Sequence, residues 1–186
     1  MIATRDSLWP AVERLLPEVH APSQYLGIER NTVHKDLDAV AVRVALAFPD
    51  AYTIGMSHLG LQIFYGMLNA IPDVAAERVY APWTDMEAEM RKENVPLFSL
   101  ESHTPVRRFD LLAFSFQDEM CYTNVLNMLD LARIPFRTEE RGPEDPLVIA
   151  GGPSAVAPEP VAEFVDVFVL GAGEDALIKI VDILRD

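Results

Sequence analysis

The sequence predicts an α/β fold built on a doubly wound parallel sheet with right-handed crossovers. Three observations support this prediction. Apolar runs of strand length alternate with amphipathic segments of helical period along the chain. The run Val44 to Phe48 has no polar side chain on either face, as expected of a strand that helices cover on both sides. Most of the runs end in glycine, proline or polar residues, which suit the loops between strands and helices.

Length and composition indicate one well-buried core with an N-terminal extension. The chain has 186 residues, of which 50% are hydrophobic and 24% are charged, and this is ordinary globular composition. We expect residues 1–40 to form a helix and a wrapping arm, and residues 41–186 to form the α/β domain.

Charge and cysteine content exclude several classes of site. The net charge of −14 disfavours a nucleic-acid-binding surface, because phosphate contacts need clustered Lys and Arg. Cys121 is the only cysteine, so this chain alone cannot form a disulfide or a multi-cysteine metal or iron–sulfur site. Its thiol is either buried and structural or, at a helix start, acidified. The sequence has neither a secretory signal nor a run of transmembrane length, so we expect a cytoplasmic protein.

The first 40 residues predict one helix followed by a polar arm. Ser7 can cap a helix from Leu8 to about Leu16. Residues 20–38 contain two short strand-like pieces and predict either an edge hairpin or a wrapping arm. His20 and His34 lie in this segment without other ligand-type residues at metal-site spacing, so we expect them at the surface.

The rest of the chain predicts five core strands and five helices. Pro49 should end the first strand because it has no N–H to donate. Ser57 suits the N-cap of the following helix, and Thr84 with Glu87 spells a capping box. The strands are expected at residues 42–48, 76–81, 109–116, 147–150 and 165–170, with a possible edge strand at 97–100. The helices are expected at residues 58–70, 86–93, 122–132, 160–164 and 175–184.

Chemistry is expected where four of these strands end, because the carboxyl ends of parallel strands share one edge of the sheet. Glycine there lets a backbone approach a bulky ligand, and helix N-termini offer N–H groups. The alternative is that these glycines only serve turn geometry. The four segments are Pro49–Gly60, Ser115–Glu119, Gly151–Gly152–Pro153 and Gly171–Ala172–Gly173–Glu174.

Familiar catalytic motifs are missing from the sequence. The glycine pairs do not form a G-x-G-x-x-G fingerprint, so NAD binding is disfavoured, and no Walker, G-x-S-x-G or H-E-x-x-H motif occurs. His58 begins a helix, whose positive dipole end favours a neutral imidazole. That ring can either ligate a metal or form a hydrogen bond with nearby backbone.

Several segments together resemble a known family. They are QYLG, LAFPDAYTIGMSHLGLQIFY, APWTDMEAEM, PLFSLES, SFQDEMCYTNVLNMLDLA, PLVIAGGP and VLGAGE. In this order and spacing, from Gln24 to the end, they resemble the N-terminal cobalamin-binding-like domain of a group of radical SAM proteins.

The resemblance implies a flavodoxin-like (Rossmann-like) sheet of order 2-1-3-4-5, with a corrin over the carboxyl ends of the strands. In such enzymes a following barrel carries a CxxxCxxC motif, binds a [4Fe–4S] cluster and cleaves S-adenosylmethionine. This chain lacks that motif. The resemblance therefore implies a domain of a longer enzyme that presents cobalamin to its C-terminal radical SAM barrel and does not itself catalyse the radical step.

The resemblance also implies a set of cofactor-binding residues. They are Ser57, His58, Gly60, Ser115, Gln117, Gly151, Gly152, Gly171, Gly173 and Glu174. The D-x-H-x-x-G motif of methionine synthase-type cobalamin domains is not reproduced, because Met56 stands two residues before His58 and Gly60 only two after it. A lower axial ligand from His58 is therefore not implied.

Two other functions are compatible with the sequence. One is an interaction module that keeps the fold without a cofactor, and it predicts a crevice filled by side chains such as Tyr52, Met56 or Phe116. The other is a flavin or nucleotide domain, which rests on analogy of fold alone.

Overall fold

The computed structural model describes residues 6–185 and contains a five-stranded, all-parallel sheet. Its strand order is β2-β1-β3-β4-β5, so the predicted doubly wound, flavodoxin-like α/β fold is confirmed. The strands are β1 (Val42–Ala51), β2 (Val74–Ala81), β3 (Leu111–Ser115), β4 (Leu147–Gly151) and β5 (Val167–Val169).

Six α-helices connect or flank the strands in the described part of the chain. They are α1 (Trp9–Leu15), α2 (Tyr52–Gly55), α3 (Leu59–Asn69), α4 (Thr84–Lys92), α5 (Tyr122–Ala132) and α6 (Glu174–Arg185). Short 3₁₀ turns occupy Leu16–Glu18, Pro22–Tyr25, Val106–Arg108, Glu119–Cys121, Thr138–Glu140, Pro153–Val156 and Glu159–Phe164. The helix expected at residues 160–164 is thus a 3₁₀ segment.

The first strand is longer than predicted. It continues past Pro49 to Ala51, and its pairing with β2 shifts register between Phe48 and Ala51. The shift takes Pro49 out of the regular ladder, so its missing N–H does not end the strand. The strand expected at residues 97–100 is reduced to a single antiparallel bridge between Phe98 and Pro105.

Two predicted helix caps are wrong. His58 is the N-cap of α3, and its Nδ1 accepts a hydrogen bond from the N–H of Leu61 at 3.2 Å. Ser57 instead donates its hydroxyl to the carbonyl of Ile54. Thr84 is already the first residue of α4, and Trp83 occupies the cap position without a side-chain hydrogen bond.

The N-terminus of α1 begins one residue later than predicted. Leu8 is its N-cap, although the hydroxyl of Ser7 accepts a hydrogen bond from the N–H of Trp9 at 3.3 Å. The same hydroxyl donates to the carbonyl of Ser102 at 2.7 Å. Ser7 therefore ties the start of the helix to the loop before β3.

The sheet has a hydrophobic core on each face. One core contains side chains of α1, α4 and α5, and the other contains side chains of α3 and α6. Residues 20–38 contain no strand, so this segment is an arm and not a hairpin. Its Tyr25 and Leu37 enter the first core, and His20 and His34 are exposed as predicted. The division at residue 40 into arm and domain stays a prediction.

A loop covers the outer edge of β2. The N–H of Leu100 donates to the carbonyl of Arg78 at 2.8 Å, and the N–H of Arg78 donates to the Glu101 carboxylate at 2.7 Å. The buried hydroxyl of Ser102 donates to Glu77 at 2.6 Å. The two bonds at Arg78 satisfy backbone groups that an uncovered edge strand would offer to another chain, and the bond from Ser102 fixes the loop in place.

Candidate functional site

A cavity of about 410 Å³ lies at the carboxyl edge of the sheet. It is bounded by the ends of β3, β4 and β5 and by the first turns of α3 and α6, so it occupies the crevice in which open α/β sheets hold ligands. Its volume falls in the ordinary range of small-molecule sites. The cavity wall consists of Leu46, His58, Leu61, Phe64, Ala113, Phe114, Ser115, Gln117, Ile149, Gly151, Gly152, Pro153, Val169, Gly171, Ala172, Gly173, Glu174 and Leu177.

Eight of the ten predicted site residues belong to this wall. They are His58, Ser115, Gln117, Gly151, Gly152, Gly171, Gly173 and Glu174. The other two do not belong to it. Ser57 is exposed and bonds backbone, and Gly60 lies beside the imidazole of His58, where a Cβ would come within 2.9 Å of the ring. The topology therefore brings the strand-end segments to one cavity, as predicted.

The hydrogen bond at the cap of α3 selects one tautomer of a neutral His58 ring. Because Nδ1 accepts the N–H of Leu61, a neutral imidazole must carry its proton on Nε2. If Nε2 bound a metal, the ring proton would move to Nδ1. The N–H groups of His58 and Leu61 would then face each other without an acceptor between them. The structure thus supports the prediction of a histidine bonded to nearby backbone, and His58 presents a donor to the cavity.

The other polar groups of the wall are few. Gln117 donates from Nε2 to the hydroxyl of Ser115 at 2.8 Å, which leaves the hydroxyl proton of Ser115 for another acceptor. Glu174 begins α6 and is the only carboxylate among the described residues of the wall. Within residues 6–185, no Lys or Arg belongs to the wall, so the described wall offers no cationic side chain to a phosphate group.

The glycines of the wall differ in whether backbone geometry and packing require a residue without a side chain. Gly152 has φ +114°, and a Cβ there would lie 2.4 Å from the carbonyl oxygen of Phe116, so turn geometry requires it. Gly171 has φ +89° and faces open space. A Cβ on Gly151 would make only ordinary contacts of 3.6 Å with Val169. The small size of Gly151 is therefore not required by packing and instead leaves room in the cavity.

The side chains that were expected to fill a ligand-free crevice do not do so. Phe116 is fully buried beside Tyr122 and Phe168. The sulfur of Met56 accepts hydrogen bonds from Arg78 and Tyr80. These positions and that of Tyr52 lie outside the cavity wall.

Two further sequence predictions concern reactive or metal-binding groups. Cys121 is buried, and burial raises the pKa of its thiol, so the structural alternative is favoured over an acidified thiol. Within residues 6–185 the structure contains no group of three or more His, Cys, Asp or Glu side chains suited to a metal ion. In the same range, no helix is both long and apolar enough to cross a membrane.

Sequence reasoning missed the apolar half of the wall. Leu46, Leu61, Phe64, Ile149 and Leu177 contribute to it from strands and helices. In the sequence these residues have the same period as core residues, and nothing in the pattern separates a core position from a cavity position.

The comparison with known families decides the kind of domain. The family described as "Radical SAM proteins, N-terminal" matches residues 60–186, which is more than half of the chain. The chain belongs to this family. The match begins with α3 and includes every wall residue except Leu46 and His58. The resemblance to radical SAM proteins is thus confirmed at the level of the N-terminal domain.

One similar protein and the solved structures complete the comparison. An uncharacterised protein of Methanocaldococcus jannaschii is 24% identical to this radical SAM N-terminal domain over 142 residues. The match covers 75% of this chain and 26% of that protein, so the chain spans about a quarter of its relative's length. No solved structure matches the chain.

Proposed function

We propose that this radical SAM N-terminal domain binds cobalamin and presents it to a catalytic barrel in a longer protein. The observation that carries the proposal is the cavity at the carboxyl edge, into which β4 and β5 bring Gly151 and Gly171. A large flat ligand needs close backbone approach and an apolar surface, and this wall supplies both.

The composition of the wall supports a corrin over a nucleotide or a flavin phosphate. The part of the wall that the structure describes has no Lys or Arg, and α6 begins with the acidic residues Glu174 and Asp175, which oppose an anion at its N-terminus. A terminal phosphate would lack the usual counter-charge here. A corrin presents an apolar face and peripheral amides, for which the wall offers Ser115, Gln117, His58 and Glu174 as polar partners.

The residues present fit part of the cofactor and not all of it. A volume of 410 Å³ is too small to enclose a whole corrinoid, so the cavity would take one part of the ligand while the macrocycle rests across the strand ends. Cobalamin would supply a cobalt centre capable of group transfer. The roles assigned to this chain are binding and orientation, and no residue of it is proposed as catalytic.

The radical step belongs in this proposal to a different part of the longer protein. We propose that a C-terminal barrel holds the [4Fe–4S] cluster and S-adenosylmethionine, since this chain has a single, buried cysteine. Reading the open reading frame beyond Asp186 tests this part. A CxxxCxxC motif is expected there, and a continuation without one contradicts the barrel.

Reconstitution tests the cofactor. The purified chain is incubated with hydroxocobalamin and passed through gel filtration, with flavin mononucleotide as the competing candidate. A corrin absorption band that elutes with the protein is expected. Elution of the protein without a corrin band at micromolar concentration, or retention of the flavin instead, contradicts the proposal.

A further inference from the structure

Exposed apolar side chains follow the strands at the carboxyl edge of the sheet, the edge at which the cavity lies. Among the described residues, thirteen large hydrophobic side chains are exposed, and six of them lie just beyond the carboxyl ends of the strands. We call these six the docking rim. They are Ile54, Leu59, Trp83, Met120, Val156 and Leu170.

The topology distributes the docking rim around the whole edge of the sheet. Every strand is followed by at least one rim residue, and β1 is followed by two. Met120 is 87% exposed, Leu59 71% and Val156 70%. Single exposed apolar residues are common on protein surfaces, but a set that follows every strand at the same edge of the sheet marks an interaction surface.

The same edge is acidic. The end of β1, the loop after β3 and the first turn of α6 carry Asp50, Asp118, Glu119, Glu174 and Asp175. No Lys or Arg occurs in residues 49–60, 82–84, 116–121, 152–158 or 170–175. Most basic side chains lie toward the opposite edge, where β1, β3 and β4 begin and α6 ends; examples are Arg43, Arg107, Arg141 and Arg185. The exposed Arg30 of the arm is an exception, because its neighbours Glu29 and Asn31 bond to Tyr52 and Gln62 at the carboxyl edge.

This charge distribution selects among possible occupants. A second copy on the same surface would set acidic loops against acidic loops, and an anionic membrane or a nucleic acid would be repelled in the same way. A protein surface with apolar contacts ringed by Lys and Arg is complementary to the rim. Of these candidates, the charge of the docking rim therefore favours a basic protein domain.

We infer that the docking rim and its acidic loops bind a basic, partly apolar face of the catalytic barrel, which thereby covers the cavity. The inference rests on the proposed function for the existence of the barrel. It adds which surface of this chain meets the barrel, and it assigns the barrel a face rich in Lys and Arg around apolar residues.

Hydrogen–deuterium exchange tests the docking directly. Exchange is measured for the 186-residue chain alone and for the longer protein that contains the barrel. Amides in the loops of the docking rim should exchange at least about tenfold more slowly in the longer protein, because docking excludes water from them. Amides near Phe136 and Ile183, which are exposed at the other edge, should exchange alike in both.

Matched variants separate docking from general stabilisation. Met120→Asp and Glu119→Lys in the longer protein should restore fast exchange to the rim loops, because they place a charge in the apolar contact or reverse the charge beside it. The controls are Ile183→Asp and Glu13→Lys, which make the same changes at exposed positions outside the rim. They should leave the protection of the rim unchanged.

Three results would overturn the inference. They are equal exchange of the rim in both proteins, equal effects of rim and control variants, and a dimer of the 186-residue chain in sedimentation that Met120→Asp dissociates. Cobalamin retention, measured on the same preparations, is independent of these readouts. Loss of the cofactor with a protected rim contradicts only the cobalamin proposal, and an unprotected rim with a retained cofactor contradicts only the docking.

Discussion

The carboxylate of Glu101 accepts two hydrogen bonds from Arg78, one from Nε at 2.6 Å and one from the backbone N–H at 2.7 Å. Both residues are almost completely buried, and the guanidinium also lies 4.5 Å from the ring centre of Tyr65. The pair fixes the loop of residues 99–104 to the edge strand β2. The pair lies at β2, an edge strand that contributes no described residue to the cavity wall.

Breaking the Arg78–Glu101 pair should be costly. At pH 8, Glu101→Ala removes the nearer of two carboxylates that pair with a buried guanidinium and leaves only Glu29, at 3.7 Å. We expect a loss of about 3–5 kcal/mol in the free energy of unfolding. Arg78→Met combined with Glu101→Gln should recover most of the lost free energy of unfolding. The amide oxygen introduced at position 101 still accepts the backbone N–H of residue 78. Urea denaturation measures both. Asp73→Ala, which removes one of the two partners of Arg185 in exposed ion pairs, should change the urea midpoint far less than Glu101→Ala does.

Stability should fall as pH rises between about 4.5 and 7. Burial raises the pKa of Glu101 to about 7 against the opposing effect of Arg78, and burial also raises the pKa of Glu77. Between these pH values the folded chain binds more protons than the unfolded chain. The stability that Glu101 contributes is therefore fully present below pH 4.5 and is lost as the pH rises to about 7.

Urea unfolding at pH 5.5 and 7.5 measures this dependence. Relative to Glu101→Gln, the wild-type chain should lose about 1–3 kcal/mol between the two values. Parallel curves for the two proteins would show that Glu101 does not titrate in this range.

Two adjacent glycines should respond differently to alanine. Gly152→Ala places a Cβ 2.4 Å from a backbone oxygen at φ +114°, and we expect a loss of about 1–3 kcal/mol or more. Gly151→Ala meets only contacts of 3.6 Å and should change stability by less than about 1 kcal/mol. Thermal unfolding compares them. Similar melting temperatures for the two variants would contradict the assignment of Gly152 to turn geometry.

His58 should act as a cap and not as an axial ligand. His58→Asn keeps a good N-cap and should preserve stability, whereas His58→Ala should lose about 1 kcal/mol. With cob(II)alamin added, electron paramagnetic resonance should show the same spectrum for the wild-type chain and for His58→Asn. A nitrogen splitting that only the wild-type chain displays would assign the imidazole to cobalt.

The sequence predicted the sheet because its buried strands are unambiguous. The run Val44–Phe48 has no polar face, and the glycine turns after β4 and β5 mark where those strands end. Parallel topology then places all strand ends at one edge, which is why eight of the ten predicted residues line one cavity. Their role in binding a cofactor stays a prediction. The short helix α2 was missed because four residues are too few to show a helical period.

The remaining errors arise from tertiary context. Ser57 ranks above histidine as an N-cap, but the extended backbone of His58 places its ring over the first turn of α3. Arg78 and Glu101 have charged side chains, and sequence patterns assign such residues to the surface. Their burial depends on each other, and residues separated by 23 positions leave no local signal of pairing.

The most direct test of the central claim is a titration of the chain with hydroxocobalamin, in which the corrin absorption spectrum is measured. The wild-type chain is compared with a variant whose new side chain fills the cavity. Ala172 is an exposed residue of the wall, and Ala70 is an exposed residue at the far end of α3. The wild-type chain and Ala70→Trp should bind with the same saturable affinity, and Ala172→Trp should weaken binding at least about tenfold. Absence of saturable binding, or equal affinity for all three proteins, would contradict a cobalamin site at the carboxyl edge of the sheet.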